Sequence, residues 1–353
     1  MYKVPNSIMQ KLNKNNINEF YSYQEKSFEK IDDDKNVIIS SPTGTGKTLS
    51  FILPFLDRNY KKPYEVVILT PNDDLGGQIN RVVNQYKDSF IKSNFIPGDI
   101  TIQRKKSYLD RKPHILITTV KQFTKMIKYR EINVQNIKSL VIDEFDQLTK
   151  DSYFGNIKTI FQEIKNSSQK IIAGATLNKK DIDKAIKLVK NNYKVIENIE
   201  GNIKHEGYYL IKNYKRDDSA FSILKKYKNK NLIMFFNKKE TMEILANKMK
   251  EHGLEPYIFN ADLKKQDKHN ILRQIEKDDN FIIFSTDSLA RGIDIKKLEL
   301  VINFEIPFDK KQYIHRIGRI SRGSSIGTAI TLITKEKEQI FKEHYSNKVL
   351  LMN

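Results

Sequence analysis

The sequence contains no cysteine, so disulfide frameworks, thiolate metal centres and cysteine nucleophiles are excluded together. Glycine and proline are scarce, 14 and 9 among 353 residues, which leaves no room for a collagen-like or low-complexity chain. No apolar run approaches the ~18 residues needed to span a bilayer. The opening stretch, MYKVPNSIMQKLNKNNINEF, lacks the unbroken apolar core of a secretory signal. A cytoplasmic protein that makes no use of a membrane is the expectation. Arginine is also rare, supplying only 11 of the 62 basic residues in a chain rich in Lys, Asn and Ile. AT-rich codon usage accounts for that bias, and the bias has a corollary. Where such a chain clusters arginine, it needs a planar five-donor guanidinium that lysine cannot offer.

What is present points to two domains. The length suits two units of ~150 to 200 residues, and 39% hydrophobic residues suffice for two cores. A net charge of +19 and a pI near 9.6 call for a polyanionic partner. Short β-rich apolar runs alternate with helical stretches throughout, which is the pattern of parallel α/β architecture. The expected strands are Val37–Ser40, Val66–Thr70, Ile115–Thr118, Leu140–Ile142 and Ile171–Ala173 in the first half. In the second half they are Leu232–Phe236, Tyr257–Asn260, Phe281–Ser285, Leu300–Phe304 and Thr328–Ile333. Most are continuous apolar runs, as strands covered on both faces should be. Asn198–Gly207, with two glycines and few apolar residues, reads as the linker between domains 1–200 and 201–353. No internal repeat is visible, and 334–353 reads as one amphipathic helix.

Chemistry concentrates at strand ends. After Val37–Ser40 comes Ser41-Pro42-Thr43-Gly44-Thr45-Gly46-Lys47-Thr48, then a helix-compatible run. Such a loop turns backbone N–H groups onto phosphate oxygens; Lys47 would reach the β- and γ-phosphates and the Thr48 hydroxyl would hold Mg2+. Ser41 stands where the usual pattern begins with glycine. At Leu140–Ile142 a buried run meets Asp143, Glu144 and Asp146, carboxylates suited to holding a magnesium ion and orienting a water. Together these favour a nucleoside triphosphatase. Three of the 11 arginines, Arg316, Arg319 and Arg322, fall within seven residues, which suits stabilisation of γ-phosphate charge. Upstream, Thr286 and the run Ala290-Arg291-Gly292-Ile293-Asp294 suit a sugar-phosphate chain, with Asp294 placed to accept from a ribose hydroxyl.

Taken in order, SPTGTGKT, DEFD, GAT, ARGID and YIHRIGRISR resemble the DEAD-box family of ATP-dependent RNA helicases in helicase superfamily 2, over about residues 17–333. The resemblance implies two RecA-like doubly wound parallel-sheet domains in tandem that close on ATP and RNA and unwind short duplexes without sequence specificity. By this likeness Gln24 reads adenine, and Tyr2 is the candidate aromatic that stacks on it. Thr43, Gly44, Thr45, Gly46, Lys47 and Thr48 bind phosphates, with Thr48 and Asp143 on Mg2+ and Glu144 on the attacking water. Arg319 and Arg322 reach γ-phosphate, and Asp294 senses nucleotide. Asp146, Thr176, Arg291 and His315 couple hydrolysis to closure. Pro71, Gln78, Thr119, Gln266, Arg273, Thr286 and Gly292 contact single-stranded or short duplex RNA. ATP and Mg2+ are the implied cofactors, and a monomer is expected.

The chain departs from the family pattern at several places. PTREL appears as Pro71-Asn72-Asp73-Asp74-Leu75, TPGR as Thr119-Val120-Lys121-Gln122, and SAT as Gly174-Ala175-Thr176. Phe145 stands in place of Ala, Ile17 in place of Phe, and Phe20 in place of the proline before the glutamine segment. The Asp73 and Gly174 departures motivate an alternative reading, an ATP-regulated RNA clamp that binds without productive unwinding. A DNA translocase is a third, disfavoured by HRIGR.

Overall fold

A computed structural model of the chain describes residues 3–42, 44–149, 151–175, 177–198, 203–260, 262–287, 298–320, 327–345 and 350–351. The chain divides near Ile199 into two compact units.

In the first unit, β1 (Asn36–Ser40), β2 (Val66–Thr70), β3 (Ser93–Ile96), β4 (Ile115–Thr119), β5 (Ser139–Ile142), β6 (Gln169–Gly174) and β7 (Tyr193–Glu197) form one parallel sheet. Their order is β3-β4-β2-β5-β6-β1-β7. Alternation along each strand feeds two cores, one on each face. Val37, Ile39, Val66 and Ile68 pack with Ile8, Leu12, Phe28 and Phe51 on one side. Ile38, Val67, Leu69 and Leu140 pack with Phe123, Met126, Ile157 and Ile160 on the other. Each such side chain stabilises the unit by about 1.5–3 kcal/mol when fully buried. This explains why the central strands read as unbroken apolar runs.

The second unit repeats the arrangement. β8 (Ile203–Leu210), β9 (Leu232–Phe235), β10 (Tyr257–Phe259), β11 (Ile282–Ser285), β12 (Leu300–Asn303), β13 (Gly327–Ile333) and the two-residue β14 (Leu350–Leu351) form a parallel sheet ordered β10-β11-β9-β12-β13-β8-β14. Position for position, this is the order of the first sheet. Again the strands alternate: Ile233, Phe235 and Val301 face one core, while Leu232, Met234, Leu300 and Ile302 face the other.

Three expectations are corrected. The internal repeat that is invisible in the sequence exists as topology, because a fold fixes which positions are buried and not which apolar residue fills them. The expected linker Asn198–Gly207 gives up its second half to β8, which pairs with β13 along its length. The expected single helix over 334–353 is instead a short 3-10 turn at Lys335–Lys337, a helix at Glu338–His344 and the strand β14.

Candidate functional site

In open parallel sheets ligands gather beyond the carboxyl ends of the strands. In the first unit β6 lies between β1 and β5, so the phosphate-type loop after β1, the acids after β5 and Gly174 at the end of β6 share one edge. Gly44 and Gly46 have φ of 84° and 82°, a left-handed conformation that favours glycine. Gly46 is also crowded: a Cβ there would lie 2.5 Å from Gln24 Nε2, which would have to move. That amide donates to the Gly46 carbonyl at 3.0 Å, while Gln24 Oε1 accepts from the Tyr21 N–H at 2.8 Å. Gln24 therefore ties the amino-terminal segment to the loop. Ser41, in place of glycine, is fully buried and its hydroxyl accepts from Asn198 Nδ2 at 3.1 Å.

Lys47 opens the helix Lys47–Ile52 and is buried, with Nζ 3.6 Å from Glu144 Oε1 and 3.4 Å from the Ser41 carbonyl. Burial works to lower its pKa, but the carboxylates of Glu144, Asp143 and Asp146 outweigh it and hold the ammonium above its usual value. Asp143 is pushed up by burial and by the Glu144 charge, against the pull of Lys47. Glu144 sits at φ 51°, a left-handed backbone on a non-glycine residue. Such strain, of about 1–3 kcal/mol, tends to persist where function requires it. Gln147 Nε2 donates to Glu144 Oε2 at 3.1 Å and steadies it. Thr48 is half-buried beside Lys47.

Asp146 Oδ1 accepts from the Ala175 N–H at 3.3 Å. This geometry accounts for Gly174: a Cβ there would lie 2.4 Å from Leu177 Cδ2 and 2.9 Å from Asp146 Oδ1. The carboxylate meets the backbone directly, and a serine there would force Leu177 to shift.

The residues assigned to RNA in this unit lie along the other half of the same edge. Pro71 follows β2, Gln78 is on the helix Asp73–Tyr86, and Thr119 ends β4 and caps the next helix through Gln122 N. Asp73, where an arginine is usual, has a partner: its Oδ1 accepts from the Gly98 N–H at 2.7 Å. A Cβ at Gly98 would lie 3.2 Å from Thr119 Oγ1, so the turn runs close beside the end of β4.

In the second unit Thr286 follows β11, and Gln266 and Arg273 are exposed on the helix Lys265–Ile275, two turns apart on one face. Arg319 is buried, with Nε donating to the His315 carbonyl at 3.2 Å. Arg316 differs from the phosphate-facing reading given to its cluster. It is fully buried, with Nε 2.7 Å from Asp287 Oδ1 and Nη2 2.9 Å from Asn237 Oδ1 and 3.2 Å from the Phe236 carbonyl. Its Nη1 reaches Asn303 Oδ1 at 3.4 Å. One guanidinium thus joins the ends of β9, β11 and β12 to the helix Lys310–Ile317. Sequence reasoning missed Asn237 and Asn303 in this cradle. The available signal was a polar Asn303 ending the apolar run Leu300–Ile302. Tyr2, Thr43, Thr176, Arg291, Gly292, Asp294 and Arg322 lie outside the described residues.

Comparison with known proteins identifies the family. The DEAD/DEAH box helicase family matches residues 21–185 and the helicase conserved C-terminal domain matches residues 215–324. A probable ATP-dependent RNA helicase of Bacillus subtilis (strain 168), YfmL, is 30% identical over 329 residues, covering 91% of this chain and 86% of that protein. The ATP-dependent RNA helicase FAL1 of Candida albicans is 30% identical over 342 residues, 92% of this chain and 84% of its own. Among solved structures, S. cerevisiae Dbp5 bound to RNA and ADP BeF3 superposes with a TM-score of 0.83 at 21% identity, over 99% of this chain and 94% of that one. Mss116p bound to ssRNA and AMP-PNP gives 0.80 at 20% identity, over 99% and 77%. These likenesses show two tandem RecA-like units. Among the described residues no helix is long and apolar enough to cross a membrane. Carrying both family domains in order, and related over nine-tenths of its length to an RNA helicase, the chain belongs to the DEAD-box family of ATP-dependent RNA helicases, which are RNA-dependent ATPases.

Proposed function

We propose that residues 1–200 form the ATP-binding domain and 201–353 the partner domain of a monomeric cytoplasmic enzyme that separates short RNA duplexes without reading their sequence. The observation that carries this reading is the buried Lys47–Glu144 contact, with Asp143 beside it, at the end of β5 and the start of the helix after β1. A buried cation facing buried acids awaits a charged ligand that rearranges them, and a triphosphate with its metal does so. The donors suit magnesium, since the Thr48 hydroxyl and the Asp143 carboxylate are hard oxygen ligands. When bound, that ion neutralises charge on the β- and γ-phosphate oxygens.

The backbone of Thr43, Gly44, Thr45 and Gly46 cradles the phosphates, and Lys47 holds the β- and γ-phosphates. Gln24, already joined to Gly46, reads adenine. Glu144 orients the attacking water and takes its proton. Arg319 and Arg322 stabilise the charge that develops on γ-phosphate, and Asp294 senses the nucleotide. Asp146, Thr176, Arg291 and His315 link hydrolysis to RNA engagement. Pro71, Gln78, Thr119, Gln266, Arg273, Thr286 and Gly292 contact RNA phosphate and 2′-OH groups, which carry no base information.

Displacement of a strand from a short RNA duplex tests this reading. With ATP and Mg2+ the native chain should release the strand and Lys47→Ala should not. Tight ATP-dependent RNA binding with no displacement by the native chain would instead establish a clamp.

A further inference from the structure

The repeated topology creates a counterpart of the nucleotide loop in the second unit. In the first, Lys47 opens the helix after β1 and Glu144 stands two residues beyond β5. In the second, Arg216 opens the helix Arg216–Lys226 after β8, and Glu305 stands two residues beyond β12. β8 and β12 hold the sheet positions of β1 and β5, so Arg216 and Glu305 are the structural equivalents of Lys47 and Glu144. No motif announces this, because the stretch Ile211-Lys212-Asn213-Tyr214-Lys215 contains no glycine.

A cavity of about 170 Å³ opens here, with Arg216, Asn237, Glu305 and Lys337 as its polar lining and Ile306 with Leu332 and Ile333 at the end of β13 completing it. Arg216 Nη1 donates to the carbonyls of Phe304 at 2.6 Å and Leu332 at 3.2 Å, which fixes the guanidinium. Its Nε and Nη2 donors have no acceptor among the described residues. Glu305 Oε2 accepts from the Asn237 N–H at 3.0 Å, and Asn237 Nδ2 donates to the Ile306 carbonyl at 2.9 Å, so the carboxylate is held in place. Burial keeps Arg216 below its usual pKa, opposed by the Glu305 and Asp217 charges. An anion in the cavity would relieve that cost.

Size and chemistry restrict the anion. The cavity is below the ~300–1,000 Å³ typical of pockets for whole cofactors. Without a glycine loop it offers no row of backbone N–H groups for a triphosphate. Two cations match the oxygens of a tetrahedral oxyanion, but a carboxylate in the lining can only accept. An oxyanion bearing a proton satisfies all three groups; one without a proton sets bare oxygen against Glu305. We propose that this cavity is a site for inorganic phosphate, held by Arg216 and Lys337 with its P–OH donated to Glu305, and that it discriminates against sulfate.

Calorimetric titration of the full chain carrying Lys47→Ala, which weakens phosphate binding at the first unit's loop, tests this directly. Inorganic phosphate should bind at one site and sulfate about tenfold more weakly, the cost of an unpaired charged acceptor. Lys337→Ala, at an exposed position, should weaken phosphate binding severalfold without changing the thermal melt. Glu305→Gln, whose amide can donate, should narrow the gap between phosphate and sulfate. The proposal fails if phosphate does not bind, if sulfate binds equally well, or if binding is indifferent to Lys337→Ala.

Discussion

Arg316 and Gly174 show how much a single position can carry. Sequence composition marks Arg316 as a place that demands a guanidinium, and the structure supplies the reason. Four acceptor residues surround its fully buried guanidinium. An ammonium cannot reach them all. Arg316→Lys should therefore destabilise the second unit by about 1–3 kcal/mol, as when buried acceptors are left without a donor. Urea denaturation followed by circular dichroism measures this. A loss below about 1 kcal/mol would mean that the cradle is dispensable. Gly174 carries the opposite lesson. By motif alone it is a lost hydroxyl, yet in its setting a side chain collides with Leu177. Gly174→Ser should cost about 1–3 kcal/mol through overpacking. The same substitution should cost less in a Leu177→Ala background, because the Leu177 atoms are gone and only the approach to Asp146 Oδ1 remains. Thermal denaturation of the four chains gives that difference.

At the scale of elements, legibility followed burial. The strands expected from apolar runs at Val66–Thr70, Leu140–Ile142 and Leu232–Phe236 lie within a residue of β2, β5 and β9, because both faces of each are covered. The strands that escaped notice are β3, β7, β8 and β14, the outer members of their sheets or next to them. In β3 and β7 polar residues interrupt the apolar pattern because partners cover less of these edge strands; in each only one isoleucine, Ile96 or Ile196, is buried. That the glycine loop, Lys47 and the acids share one edge was readable because the motif fixes them by residue type and strand end. What could not be read were contacts between distant segments, such as Gln24 with Gly46 and Asp73 with Gly98, since no local pattern encodes a partner 22 or 25 residues away. Asp73 yields a prediction at this scale. Its carboxylate occupies the Gly98 N–H beside Thr119, on the face proposed for RNA, and repels phosphate there. Asp73→Asn keeps the accepting oxygen and removes the charge. It should tighten single-stranded RNA binding severalfold in filter-binding or anisotropy assays, whereas Gln78→Ala should loosen it. Weaker binding by Asp73→Asn would show that the acid serves the interface.

At the scale of the molecule, one topology serves twice, and the two copies diverge in what they hold at the strand ends. The first unit has glycine, Lys47 and three acids; the second has Arg216, Glu305 and the arginine-bearing helix Lys310–Ile317. The net charge of +19 says only that polyanions are attracted, with an affinity that falls as salt rises. On the proposed reading, catalysis depends on the few groups whose geometry is fixed, above all Glu144 beside Lys47. The most direct test is steady-state ATP turnover measured against single-stranded RNA concentration, for the native chain and for Glu144→Gln. RNA should raise turnover of the native chain, and Glu144→Gln should lower it by about 10²–10⁴-fold, the range for a positioned general base. Turnover that ignores RNA, or that survives Glu144→Gln undiminished, would contradict an RNA-dependent ATPase centred on this site.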